Sequence, residues 1–158
     1  MGERRKRRMK FSRSAKIGDV LEGKAAGVAT IRPSESIATL ARRLQQEKCG
    51  AMVVSRDGCR LDGLISERDV AYALALYRGQ LHTLRVSELM TKSVTTCAPD
   101  DRVVMVSKLM ADRRIRHIPV VEDGRLVGLI GTRDVFMHRL DEIQQVTNLL
   151  RSYVSAGD

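Results

Sequence analysis

The run Ser66-Glu67-Arg68-Asp69 follows the apolar Gly63-Leu64-Ile65 and opens a stretch of helical spacing. A strand delivering the chain to a helix start leaves backbone N–H groups without intrahelical partners, at the positive end of the dipole. A phosphate is well served there. The Ser66 hydroxyl adds a hydrogen bond and Arg68 adds charge. Asp69 repels a phosphate, but its carboxylate accepts two hydrogen bonds from a ribose diol. The same spacing also makes a near capping box, with Ser at N-cap and an acid at N3. Both readings fit the residues, and the two roles are compatible in different ligand states.

The motif is repeated. Gly63 to Val70 recurs as Gly128 to Val135 at an offset of 65. Thr30-Ile31-Arg32-Pro33 parallels Thr96-Cys97-Ala98-Pro99 at 66, and Ile37, Leu40 and Leu44 parallel Val103, Val106 and Met110. The slip falls in a turn, where Asp57-Gly58-Cys59-Arg60 faces the shorter Asp123-Gly124-Arg125. Turns are where duplicated units tolerate insertion. In the second motif Gly131 stands where Ser66 stands, Thr132 follows one residue later, and Arg133 and Asp134 keep the base and the acid. Arg116-His117 correspond to the uncharged Gly50-Ala51. Any two sites built on the repeat are therefore unequal.

Each unit predicts the same elements. A leading helix (17–21; 86–90) precedes an extended piece ending at proline. A helix with 3-4 apolar spacing follows, then a short strand, an Asp-Gly turn, a second strand and a second helix. The fold class is α+β: two βαββα-type units packed as a pseudo-two-fold pair, sheets facing each other, since neither sheet can cover its own face. The expected boundaries are a basic tail at 1–16, unit 1 at 17–79, a linker at 80–85, unit 2 at 86–141 and a C-terminal helical extension at 142–158. On the last helix Phe136, Leu140, Ile143, Thr147, Leu150 and Val154 form a heptad stripe that either caps the module's own core or, as its length favours, pairs with a second chain, a homodimer.

The 158 residues, 43% hydrophobic, suffice for this architecture. Of the net charge of +9, the first 16 residues carry +7, as eight cations against Glu3. That tail is expected to be disordered, and it admits nucleic acid as an alternative partner. No apolar run reaches the roughly 20 residues that span a bilayer, so no membrane role is expected. Three cysteines without a C-x-x-C pair predict a reducing, cytoplasmic setting and no zinc site. His82 and His138 sit in no metal or nucleophile motif, and no phosphate-binding glycine loop occurs. No enzyme is expected.

Arg116-His117-Ile118-Pro119-Val120-Val121-Glu122-Asp123-Gly124-Arg125-Leu126-Val127-Gly128-Leu129-Ile130 resembles the central signature of a CBS domain, as does Gly63-Leu64-Ile65-Ser66-x-x-Asp69. Two such units, over roughly 17–141, resemble a Bateman module. The resemblance implies a stand-alone sensor that binds an adenosine ligand (AMP, ADP, ATP or NAD-like) in clefts between units and signals to a separate, unidentified effector protein. It requires no cofactor. It implies ribose-binding roles for Asp69 and Asp134. Phosphate-binding roles fall to Ser66, Arg68, Thr132, Arg133, Arg116 and His117, with the second motif weakened by Gly131. Met52 and Ile118, which start matching strands, and Thr30 and Thr96, in the entering segments, are expected to flank adenine. The arginines make S-adenosylmethionine the least favoured of the ligands. A purely structural dimerisation module with empty clefts is the remaining alternative.

Overall fold

In the computed structural model, residues 15–24 and 27–155 are described, so the basic tail through residue 14 lies outside the described residues. Helix α1 (Ile17–Glu22) leads to β1 (Thr30–Ile31), α2 (Ile37–Glu47), β2 (Ala51–Val54), β3 (Gly63–Ser66) and α3 (Glu67–Tyr77). A 3-10 turn (Arg78–Thr83) and α4 (Val86–Leu89) precede α5 (Val103–Arg113), β4 (His117–Glu122), β5 (Arg125–Gly131) and α6 (Thr132–Ser155). The expected α+β pair of repeated units is what the chain forms.

The repeat holds in detail. The expected apolar spacing buries Ile37, Leu40 and Leu44 on α2 and Val103, Val106 and Met110 on α5. β2 pairs antiparallel with β3, and β4 with β5. Asp123 and Gly124 both take positive φ, 50° and 75°, making the tight primed turn that suits a right-twisted hairpin. The first unit's longer turn is held differently: the Asp57 carboxylate accepts from the backbone N–H groups of Cys59 and Arg60, both at 2.8 Å.

The units differ at their third strand. β1 runs parallel to β2, with the Val53 N–H donating to Ala29 at 3.1 Å. The residue equivalent to Val53 is Pro119, which has no N–H to donate. The second unit therefore keeps only an isolated bridge, Cys97 with Val120, in place of the expected strand.

Packing exchanges the leading helices. Ile17 and Val20 of α1 lie in the second core with Val103, Ile118 and Ile130. Val86 of α4 and Leu81 of the 3-10 turn lie in the first, with Leu40, Met52 and Ile65. Backbone bonds repeat the exchange: Ile17 and Gly18 donate to Asp101 and Pro99 at 2.9 and 2.8 Å, and Val86 and Ser87 donate to Glu35 and Pro33 at 2.8 and 3.0 Å. The segment expected as a linker is thus part of the first core. Ala15 and Lys16, expected in the tail, belong to the second unit. Ala15 packs on its core and Lys16 bonds Asp100 at 2.6 Å.

Two matching glycines receive the exchanged segments. A Cβ on Gly63 would stand 2.9 Å from the Thr91 carbonyl and 2.8 Å from the Met90 sulfur. On Gly128 it would stand 2.5 Å from Leu21 Cδ2. Overpacking of this kind costs about 1–3 kcal/mol. Gly63→Ala is expected to lower the denaturant midpoint more than Gly128→Ala, because a backbone carbonyl yields less than the end of a leucine. Equal midpoints in the two variants would contradict that order.

Candidate functional site

A capping box forms at the first motif. Ser66, in extended conformation, is the N-cap of α3. Its backbone N–H and its hydroxyl each donate to Asp69 Oδ2 at 2.7 Å, and the Asp69 N–H returns a bond to Ser66 Oγ at 3.4 Å. The next N–H, of Glu67, donates to the Gly50 carbonyl at 3.0 Å. At the second motif Thr132 N–H donates to Arg116 at 2.9 Å and Gly131 N–H to Asp134 Oδ2 at 2.7 Å. The helix starts are therefore less free than the sequence suggests, and an anion here depends on side chains more than on bare N–H groups.

Those side chains converge in a cleft of about 180 Å³ between the units. The first unit contributes Gly50, Ser66, Arg68 and Asp69; the second contributes Ser93, Val94, Thr95, Arg116 and His117. Arg68 is pinned across the junction by donating to the Arg114 carbonyl at 3.2 Å. The Thr95 carbonyl corresponds to that of Ala29, and Pro119 cannot supply the ladder bond that Ala29 receives.

A second cleft, of about 590 Å³, is the repeat's image of the first. Gly27, Val28 and Ala29 stand where Ser93, Val94 and Thr95 do, and Cys49 and Ala51 where Ile115 and His117 do. Its chemistry differs. Lys24 Nζ donates to Asp134 Oδ2 at 2.7 Å and to the Leu129 carbonyl at 2.8 Å, so the acid of this motif is already paired with a cation. Lys24 belongs to no motif and was not foreseen.

Of the residues expected to bind, Ser66, Arg68, Asp69, Arg116 and His117 meet in the first cleft, and Thr30 lines the second. Five of the expected residues lie elsewhere. Met52 and Ile118 have no exposed surface: their side chains fill the two cores and line neither cleft. Thr96 is exposed and lines neither cleft; neighbours in extended chain point opposite ways, and its place is taken by Thr95. Thr132 lies one residue beyond the cap and, turned around α6, lines an outer groove instead. Arg133, also exposed, lines none of these cavities.

His117 stands between the two motifs. A Cβ on Gly50 would lie 3.4 Å from its ring, and one on Gly131 also 3.4 Å. Burial pushes its pKa below the usual value, which outweighs the upward pull of Glu67 and Asp134 and is helped by Lys24 and Arg116. Burial likewise pushes the Cys97 thiol up to about 12, and with Cys97 in the core it is a packing group. Among the described residues no cluster of three His, Cys, Asp or Glu side chains is placed to hold a metal, and no helix is long and apolar enough to cross a membrane.

Comparison with known proteins agrees with the geometry. The CBS domain model matches residues 17–76 and 86–141. The crystal structure of a CBS-domain containing protein from Agrobacterium tumefaciens is 34% identical, with a TM-score of 0.76, covering 79% of this chain and 99% of that one. A CBS domain protein from Pyrobaculum aerophilum, complexed with AMP, is 26% identical at a TM-score of 0.70, covering 84% and 98%. The CBS domain pair of protein MJ0100, in complex with 5-methylthioadenosine and S-adenosylmethionine, is 27% identical at 0.68, covering 80% and 98%.

The position of His117 fixes a pH dependence. Its folded pKa is below the unfolded value of 6.5, so as pH falls the unfolded chain takes the proton first. The stability due to neutral His117 is full above about pH 6.5 and is lost as pH falls from there through the folded pKa, at no more than about 1.4 kcal/mol per pH unit. The stability gap between the wild type and His117→Gln is expected to narrow from pH 7.5 to 5.5 in urea unfolding. A constant gap would refute it.

Proposed function

The chain belongs to the CBS domain family, and on that premise we propose that it is a non-catalytic sensor. It binds an adenosine-containing anion between its units and signals to a separate protein. The observation that carries this reading is the meeting of Asp69 from one unit with Arg116 and His117 from the other around a single cleft. Asp69 accepts the ribose hydroxyls by exchanging its bonds to Ser66. Arg116 and Arg68 meet the phosphate. The Thr95 carbonyl, without a ladder donor at Pro119, accepts from the adenine amine. His117 lines the phosphate end, where an anion favours its protonated form. The AMP complex of the Pyrobaculum aerophilum relative supports the ligand class. The S-adenosylmethionine complex of the MJ0100 pair keeps a cationic ligand within the family's range, and the arginines here argue against it for this chain.

Beside the second cleft Asp134, bonded to the lining Lys24, takes the ribose role once Lys24 is displaced or shared, so that cleft is the weaker of the two. The module works as a homodimer: Leu140, Ile143, Leu150 and Val154 form an exposed apolar stripe along α6. The free cysteines suit a reducing compartment such as the cytosol.

A ligand at about 100 times its dissociation constant stabilises a fold by roughly 2.7 kcal/mol. AMP, ATP or NAD is expected to raise the melting temperature by several degrees. Asp69→Ala should abolish that increment, measured against its own ligand-free baseline because the variant also loses a cap. Asp134→Ala should reduce it less. No shift with any of these compounds would sink the sensor reading. Ile143→Asp is expected to halve the mass in sedimentation at micromolar concentration, and an unchanged mass would remove the stripe from the interface.

A further inference from the structure

Resting on the reading of a nucleotide in the Ser66–Arg116 cleft, we propose that His117 couples the two clefts as a proton-carried latch. Filling the first cleft draws a proton from solvent onto the imidazole, and the imidazolium loosens Lys24 from Asp134 at the second. The geometry puts the ring tip on the boundary between the units. A Cβ on Gly50 would lie 3.5 Å from His117 Nε2 and 3.5 Å from Glu67 Oε1. A Cβ on Gly131 would lie 3.6 Å from the same nitrogen and 3.5 Å from Asp134 Oδ2. Nε2 thus faces a gap flanked by one acid from the helix start of each unit. Asp134 Oδ2 is also the atom that accepts Lys24 Nζ at 2.7 Å. His117 lines the first cleft and Lys24 the second, so one carboxylate separates a group of one site from a group of the other.

Two departures from the repeat create this contact. Ala51 stands where His117 does, and Ser66 where Gly131 does. A Cβ at 131 would come within 3.4 Å of the ring, so the glycine leaves the imidazole its place. The charges around the ring are balanced. Glu67 on α3 and Asp134 on α6 favour the imidazolium; Lys24 after α1 and Arg116 on the ring's own strand oppose it, and burial tips the balance to the neutral form. Arg68 and Asp69 face it across the cleft. A phosphate beside Arg116 screens that cation and adds negative charge, which turns the balance toward the imidazolium. Lys24 opposes the proton on His117, and coupling between sites is reciprocal, so the proton opposes Lys24 in equal measure. The lysine is partly exposed and has solvent to move into.

Nitrogen-detected NMR of the full chain reads the latch directly, since only His82 and His138 share the histidine region with His117. Lys24→Met, without nucleotide, is expected to shift the titration midpoint of His117 upward and leave that of His82 in place. Saturating AMP is expected to shift the wild-type His117 midpoint upward as well. In calorimetry with AMP, Lys24→Met is expected to tighten the second binding step by at least about fivefold, the lower end of ordinary coupling between sites. A His117 midpoint that ignores Lys24→Met, or ignores bound AMP, overturns the latch and leaves the sensor reading intact. A second step that is missing or no tighter in Lys24→Met overturns it too, because a cleft freed of its lysine must fill more readily. No binding of AMP to the wild type removes the latch together with the AMP reading of the first cleft.

Discussion

Everything in this molecule depends on the exchange of two short helices. Each unit's core is closed by a helix that precedes the other unit in the chain: α1 on the second, α4 on the first. Neither half-buried sheet is complete without the borrowed segment, so the units do not drift apart as two beads on a linker. The docking points are prolines and acids at matching places, Pro33 and Glu35 in one unit, Pro99 and Asp101 in the other. Only a fixed pair of units gives clefts with walls from both, and the glycines at 63 and 128 are the places where that closeness leaves no room for a Cβ.

Within this symmetric frame, a few substitutions make the two clefts unlike. Pro119 in place of Val53 removes a ladder donor and reduces one strand to a bridge. Arg116 and His117 in place of Gly50 and Ala51 put charge and a titrating ring into the smaller cleft. Gly131 in place of Ser66 removes a hydroxyl that the first motif bonds to its acid, and Lys24 takes up the vacated role on Asp134. Duplication supplied the geometry; divergence at these few positions supplied two different chemistries.

Much of this was legible in the sequence, for a physical reason: a repeat lets each weak local signal be checked against its copy. The helices at 37–47 and 103–113, the hairpins and the Ser66–Asp69 pair all followed from matched spacing. What was not legible is what no local pattern encodes. The helix exchange is a tertiary choice between two equally apolar faces. Lys24 reaches Asp134 across 110 residues and has no counterpart in the second unit. Met52 and Ile118 read as cleft residues because they begin the right strands, but at strand starts a one-residue change of face decides between core and cavity. The same one-residue shift puts Thr95 rather than Thr96 in the wall of the smaller cleft.

On the proposed sensor reading, the capping box at Ser66 gives a physical reason for a site built from both units. The motif satisfies itself within the chain: Ser66 and Asp69 bond each other, and Glu67 bonds Gly50. Removing a cap costs about 1 kcal/mol, and a hydrogen bond to a charged group returns roughly 1.5–3 kcal/mol. Trading one for the other leaves a modest gain, too small to hold a nucleotide with the first motif alone. On that reading the rest comes from Arg116 and His117 on the opposite unit, where burial already disfavours the charged imidazole. A ligand that brings its own negative charge relieves that penalty only when both walls close on it. Its binding energy is thus tied to the relative placement of the units, and a ligand shifts an equilibrium only by such a difference between states. If the cleft takes a nucleotide as proposed, the arrangement that makes each half-site weak by itself is what lets occupancy be felt by the whole pair.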